Sequence, residues 1–79
     1  MLNKIREIIA DVTHNDRASV TANSSSHNLD DWDSVAQINI IVAVEEEFGI
    51  RFDPEDMHNL DSVGKIVHAL SPIMMLREQ

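Results

Sequence analysis

Residues 34–48, Ser-Val-Ala-Gln-Ile-Asn-Ile-Ile-Val-Ala-Val-Glu-Glu-Glu-Phe, constrain this chain more than any other stretch. They contain neither proline nor glycine. Asp33 or Ser34 stands where a helix N-cap belongs, and Gly49 follows Phe48 where a left-handed C-terminal residue is wanted. The spacing predicts a helix with two apolar faces. Gln37, Ile41, Val44 and Phe48 share one side, with Ile40 beside them. Val35, Ile38 and Val42 form a second stripe, offset from the first. A helix in a small bundle needs one apolar face only. Two faces mean either a helix enclosed on nearly all sides or an apolar patch left exposed for a partner.

The rest of the chain supplies few elements to enclose it. Ile5, Ile8, Ile9 and Val12 fall at i, i+3, i+4 and i+7, the stripe of an amphipathic helix from about residue 3 to residue 14 or 15, with Asn3 as its candidate cap. Residues 15–33 are rich in Ser, Asn and Asp, whose side chains compete with helix by bonding nearby backbone. A loop of about 19 residues is long for a compact domain, and Val20, Leu29 and Trp32 are the residues able to pin it. Asp53-Pro54-Glu55-Asp56 reads as cap, first-turn proline and acidic first turn of a short helix to about Leu60. Asp61-Ser62 caps a last helix through Ile66, Val67 and Leu70 that Pro72 is expected to end. No stretch alternates at period two for long enough to make a strand. The expected fold is all-α: a small four-helix bundle of three main helices plus one short helix, with a long loop between helices 1 and 2, in one domain over residues 1–79.

Charge and composition narrow the function classes. Fourteen Asp and Glu face six Lys and Arg, a net charge of −8 with His neutral. That excludes nucleic acid, whose phosphates need a basic surface, and disfavours anionic membranes. Basic protein surfaces are the natural partners, although acidity also serves solubility alone. No cysteine is present, which removes disulfides and thiolate chemistry. No run approaches the roughly 20 apolar residues of a membrane span, and the N-terminal residues carry acids rather than a signal-peptide pattern. A cytoplasmic, monomeric protein without membrane insertion is expected.

No catalytic constellation is legible. A serine hydroxyl needs a base, and none of His14, His27, His58 and His68 forms a recognisable motif with Ser34. No HExxH occurs. A calcium loop opening at Asp31 fails, because positions five, six and twelve are Val35, Ala36 and Val42. Neither a metal site nor enzymatic activity is expected. Ser34 itself reads two ways: as a helix cap, or as a hydroxyl whose phosphate ester would meet the free N–H groups of a helix N-terminus, with Asp33 opposing the charge.

Asp33-Ser34-Val35, the apolar helix that follows, Glu45-Glu46-Glu47-Phe48-Gly49-Ile50, Phe52-Asp53-Pro54-Glu55-Asp56 and Asp61-Ser62-Val63-Gly64-Lys65-Ile66 together resemble the acyl carrier protein family over about residues 3–70. The resemblance implies a four-helix bundle that is not an enzyme. It implies 4'-phosphopantetheine on Ser34, next to Asp33, attached from coenzyme A by a phosphopantetheinyl transferase. The thiol of that arm would carry acyl groups as thioesters to acyl-loading and acyl-processing enzymes. Val35, Ile38, Val42, Glu45 and Glu46 would meet those partners. Ile40, Ile41, Val44 and Phe48 would line the core, where an acyl chain can lodge. Many members have glycine and a small or aliphatic residue where this chain has Asp31 and Trp32, and fatty-acid carriers often have acids where it has Ala36 and Asn39. The implied pathway is fatty-acid-like or a specialised polyketide or lipid one, and these departures favour the specialised route. An aminoacyl or peptidyl carrier, and an unmodified helical adaptor binding through the second helix, are the alternatives.

Overall fold

The computed structural model describes residues 1–77. Three helices form: α1, Leu2–Thr13; α2, Ser34–Phe48; and α3, Val63–Arg77, with a 3₁₀ turn at Arg17–Ser19 between the first two. α1 packs against both α2 and α3, so it is the element on which the bundle is assembled. Its buried side carries Ile5, Ile9 and Ala10, with Ile8 and Val12 packed at the margin. Thr13 is also fully buried; its hydroxyl donates to the Ile9 carbonyl at 2.7 Å and so is satisfied without water. Asn3 is not the cap: the helix starts one residue earlier, with Met1 in the cap position and no side-chain cap bond.

The expected caps of α2 are both present. Asp33 Oδ1 accepts from the Ala36 N–H at 2.8 Å, and Gly49 ends the helix at φ 65°, ψ 40°, a conformation that costs any residue with a Cβ about 1–2 kcal/mol. Ile40, Ile41 and Val44 are fully buried against Ile5, Ile9, Val63, Ile66 and Leu70. Phe48 sits at the edge of this core, half-buried.

The long loop is tied down rather than draped. Arg6 donates from Nε to the Val20 carbonyl at 2.5 Å and from Nη2 to the Arg17 carbonyl at 3.1 Å. Val20 is fully buried, Trp32 nearly so, and Leu29 packs at the core margin, as expected of the residues able to pin the loop. The Ser-Asn run folds on its own side chains: Ser24 Oγ accepts from Thr21 N–H, and Asn28 Oδ1 from Ser25 N–H. A single antiparallel bridge, Ser25 with Ser62, ties this run to the start of α3.

Two further expectations differ from the structure. Residues 53–60 form consecutive turns, not a regular helix: Asp56 N–H bonds the Asp53 carbonyl, Met57 the Pro54 carbonyl, and Asn59 and Leu60 the Asp56 carbonyl. So short and polar a segment gains too little to offset helix nucleation, and the Gln37 side chain takes the Met57 and Leu60 carbonyls. α3 also continues past Pro72 to Arg77. Pro72 forgoes a bond to the His68 carbonyl, but both residues are exposed, so water can satisfy that carbonyl. The cap of α3 is as expected, Ser62 Oγ accepting from Lys65 N–H at 3.1 Å. The last two residues, 78–79, lie outside the described residues.

Arg6→Met should keep most of the stem packing but release the Val20 and Arg17 carbonyls. We expect a loss of about 1–2 kcal/mol in urea unfolding, with faster amide exchange at Val20. Unchanged exchange there would show that the loop holds without Arg6.

Candidate functional site

Asp33 and Ser34 divide the start of α2 between them. Asp33 supplies the cap. Ser34, the first helical residue, is exposed, and among the described residues its hydroxyl makes no hydrogen bond. The choice between a capping serine and a serine open to modification is thus narrowed by geometry: the cap is made by its neighbour. A phosphate ester there would lie near the first-turn N–H groups, at the positive end of α2.

Beside Ser34 runs an open groove of about 310 Å³. His27 and Ser26 come to it from the long loop, and His58 and Asp61 from the segment before α3. Trp32 and Gln37 line it as well; both are almost wholly buried, so they form its floor. The floor is one hydrogen-bonded unit. Trp32 Nε1 donates to Gln37 Oε1 at 2.6 Å, and Gln37 Nε2 donates to the Met57 and Leu60 carbonyls, both at 2.7 Å. This unit stitches α2 to residues 57–60 next to Ser34. Wedging them apart would leave several buried polar groups unpaired at about 1–3 kcal/mol each. An apolar group inserted there returns only about 0.8 kcal/mol per methylene.

At the groove rim, Lys65 Nζ holds Asp61 Oδ1 at 2.9 Å, and His27 Nε2 stands 4.0 Å from Asp61 Oδ2. The hydrogen bond from Lys65 is the largest influence on Asp61 and holds its carboxyl below the usual 3.8. A depressed carboxyl stabilises the fold above its ordinary pKa, and that contribution disappears as pH falls through the lowered value.

The second stripe of α2 is the exposed one. Val35 is 68% exposed, Ile38 43% and Val42 41%. Glu46 is exposed at the end of this surface, whereas Glu45 is half-buried and its carboxylate accepts from the Phe52 N–H at 2.8 Å. Ala36 is buried under the first turn, so an acid's absence there does not describe the surface; Asn39, exposed, does. Sequence reasoning missed the convergence of His27, His58 and Asp61 on Ser34, because nothing local links residues so far apart. It placed Gln37 on a core face without finding its partners. The signal available was a lone amide on an apolar face, which must be hydrogen-bonded to be buried. Among the described residues, no cluster of side chains could hold a metal ion and no helix is long and apolar enough to cross a membrane.

A free, exposed serine hydroxyl at a helix start, capped by its neighbour and flanked by an open groove, fits a covalently attached phosphate-linked arm. These features suit a carrier domain. Residues 3–70 match the family model described as the phosphopantetheine attachment site, and the chain belongs to that family. It is similar to the acyl carrier protein of Lactobacillus acidophilus, 33% identical over 67 residues that cover 85% of this chain and 84% of the relative. Similarity to the acyl carrier protein of Kineococcus radiotolerans is 35% over 71 residues, 90% and 88% of the two chains. That of Petrotoga mobilis is 31% identical over 71 residues, 90% and 84%. The family is one of non-catalytic carriers, and its cofactor is phosphopantetheine.

Two measurements check the site. Trp32→Phe removes the indole N–H and leaves a cavity, so we expect a loss of about 2–4 kcal/mol, followed by circular dichroism because Trp32 is the sole tryptophan. Lys65→Met should return the Asp61 carboxyl toward 3.8 in an NMR titration; an unchanged midpoint would assign the shift to another cause.

Proposed function

We propose that Ser34 carries the 4'-phosphopantetheine arm and that this protein conveys acyl groups between enzymes. The observation that carries this reading is the uncommitted, exposed Ser34 hydroxyl beside a cap that Asp33 alone provides. When bound, the arm supplies a terminal thiol that holds an acyl group as a thioester. The chain's own task is presentation. Asp33 fixes the first turn, so Ser34 projects from a rigid helix end rather than from a mobile loop. The absence of cysteine from the chain leaves no protein thiol to compete for the cargo.

Val35, Ile38 and Val42 form the docking stripe on this reading, with Glu46 at its end. Glu45 takes part less freely, because Phe52 holds its carboxylate. Ile40, Ile41, Val44 and Phe48 form the wall of the core behind Ser34. With Asn39 rather than an acid on the stripe, docking draws more on apolar contact than on charge, in keeping with a specialised lipid or polyketide route. The partners are a phosphopantetheinyl transferase using coenzyme A and the enzymes that load and process the cargo, with the carrier acting as a cytoplasmic monomer.

Incubation with coenzyme A and a broad-specificity phosphopantetheinyl transferase tests the assignment by intact mass. Wild type should gain one phosphopantetheine and Ser34→Ala none. Equal gain by the two proteins would move the attachment elsewhere, and no gain by wild type would overturn the reading.

A further inference from the structure

We propose that Gln37 is a gate: it closes the seam between α2 and residues 57–60, keeps the acyl group of this carrier out of the core, and thereby restricts the cargo to short or polar acyl groups. The inference rests on the assignment of the arm to Ser34. The seam is the direct way inward from Ser34, since Ser34 and Gln37 line the same groove and Gln37 forms part of its floor. Both ends of the Gln37 amide are committed. Its oxygen accepts from the Trp32 indole at 2.6 Å, and its nitrogen donates to the carbonyls of Met57 and Leu60 at 2.7 Å. An alkyl chain entering here breaks these bonds where Trp32 and Gln37 are almost wholly buried.

What lies outside the gate is suited to different company. The groove walls are Ser26, His27, His58, Asp33 and Asp61, all hydrogen-bonding, with the Trp32 ring as the main apolar surface. A long alkyl chain denied the core would remain in water, which disfavours it in proportion to its apolar area. A short acyl group, or one bearing a hydroxyl or similar hydrogen-bonding substituent, needs no such shelter. Gln37 therefore acts as a specificity-determining residue without touching the reacting thioester. The arm lies along the groove and its cargo stays within reach of solvent and of partner enzymes.

The test uses the full chain, loaded by a broad-specificity transferase from coenzyme A, 3-hydroxybutyryl-coenzyme A or octanoyl-coenzyme A. Intact mass establishes loading first, and Ser34→Ala is the control. Methyl NMR of Ile40, Ile41 and Val44 then reports the core, and the Trp32 indole N–H reports the groove. In wild type, the octanoyl and 3-hydroxybutyryl forms should leave the core methyls where the unacylated arm leaves them, while the indole signal moves once the arm is attached. Gln37→Leu should let the octanoyl chain shift the core methyls. Should that variant fail to fold, Gln37→Met, of similar length, replaces it, and the wild-type spectra stand on their own. Core methyls displaced by octanoyl in wild type would overturn the gate, as would a folded Gln37 variant that behaves like wild type. Absence of any mass gain would instead overturn the Ser34 assignment, and the gate with it.

Discussion

The side-chain amide of Gln37 ties three parts of the chain together by hydrogen bonds. It takes the Trp32 indole from the end of the long loop and two carbonyls from residues 57–60, and it does so from the first turns of α2. A buried amide with no partners would be a liability. Fully bonded, it fixes where the loop ends, where the 53–60 turns sit and therefore where α2 presents Ser34. Among the described residues no buried side-chain nitrogen or oxygen lacks a partner, so the small core tolerates this polar unit without an orphaned group.

That unit separates two environments a few residues apart. Behind it, Ile40, Ile41 and Val44 are fully buried in a cluster with α1 and α3. In front of it, Ser34 faces an open groove with two histidines and two carboxylates. The exposed stripe of Val35, Ile38 and Val42 leads away from Ser34 on a third side. On the proposed reading, attachment, cargo and docking make separate demands on one helix, in keeping with its two apolar faces. The family is one of non-catalytic carriers, so what this chain exposes and what it buries are its means of selecting partners and cargo.

Much of this was legible in the sequence because it is local. Caps depend on one or two residues, so Gly49 and the pairs Asp33-Ser34 and Asp61-Ser62 were readable from type and position, and the structure chooses Asp33 and Ser62 within them. The α2 faces followed from helical spacing, though periodicity alone could not say which would be left bare; the family resemblance indicated Val35, Ile38 and Val42, and their exposure agrees. The failures are long-range or marginal. Residues 53–60 carry a helix-start signature, yet so short and largely polar a segment cannot sustain a helix against bonds offered by Gln37. Pro72 is a sound stop signal that one solvated carbonyl suffices to override. Glu45 looked like surface charge until Phe52 claimed it, and the groove histidines share no sequence pattern with Ser34 at all.

The central claim is that Ser34 holds the arm in the living cell. Intact mass of the protein isolated from its native source, followed by fragmentation of the peptide spanning Trp32 to Val35, tests it most directly. The account predicts a phosphopantetheine adduct on Ser34, with any acyl group attached through it as a thioester. A native protein whose Ser34 is wholly unmodified, or whose arm maps to another residue, would contradict it.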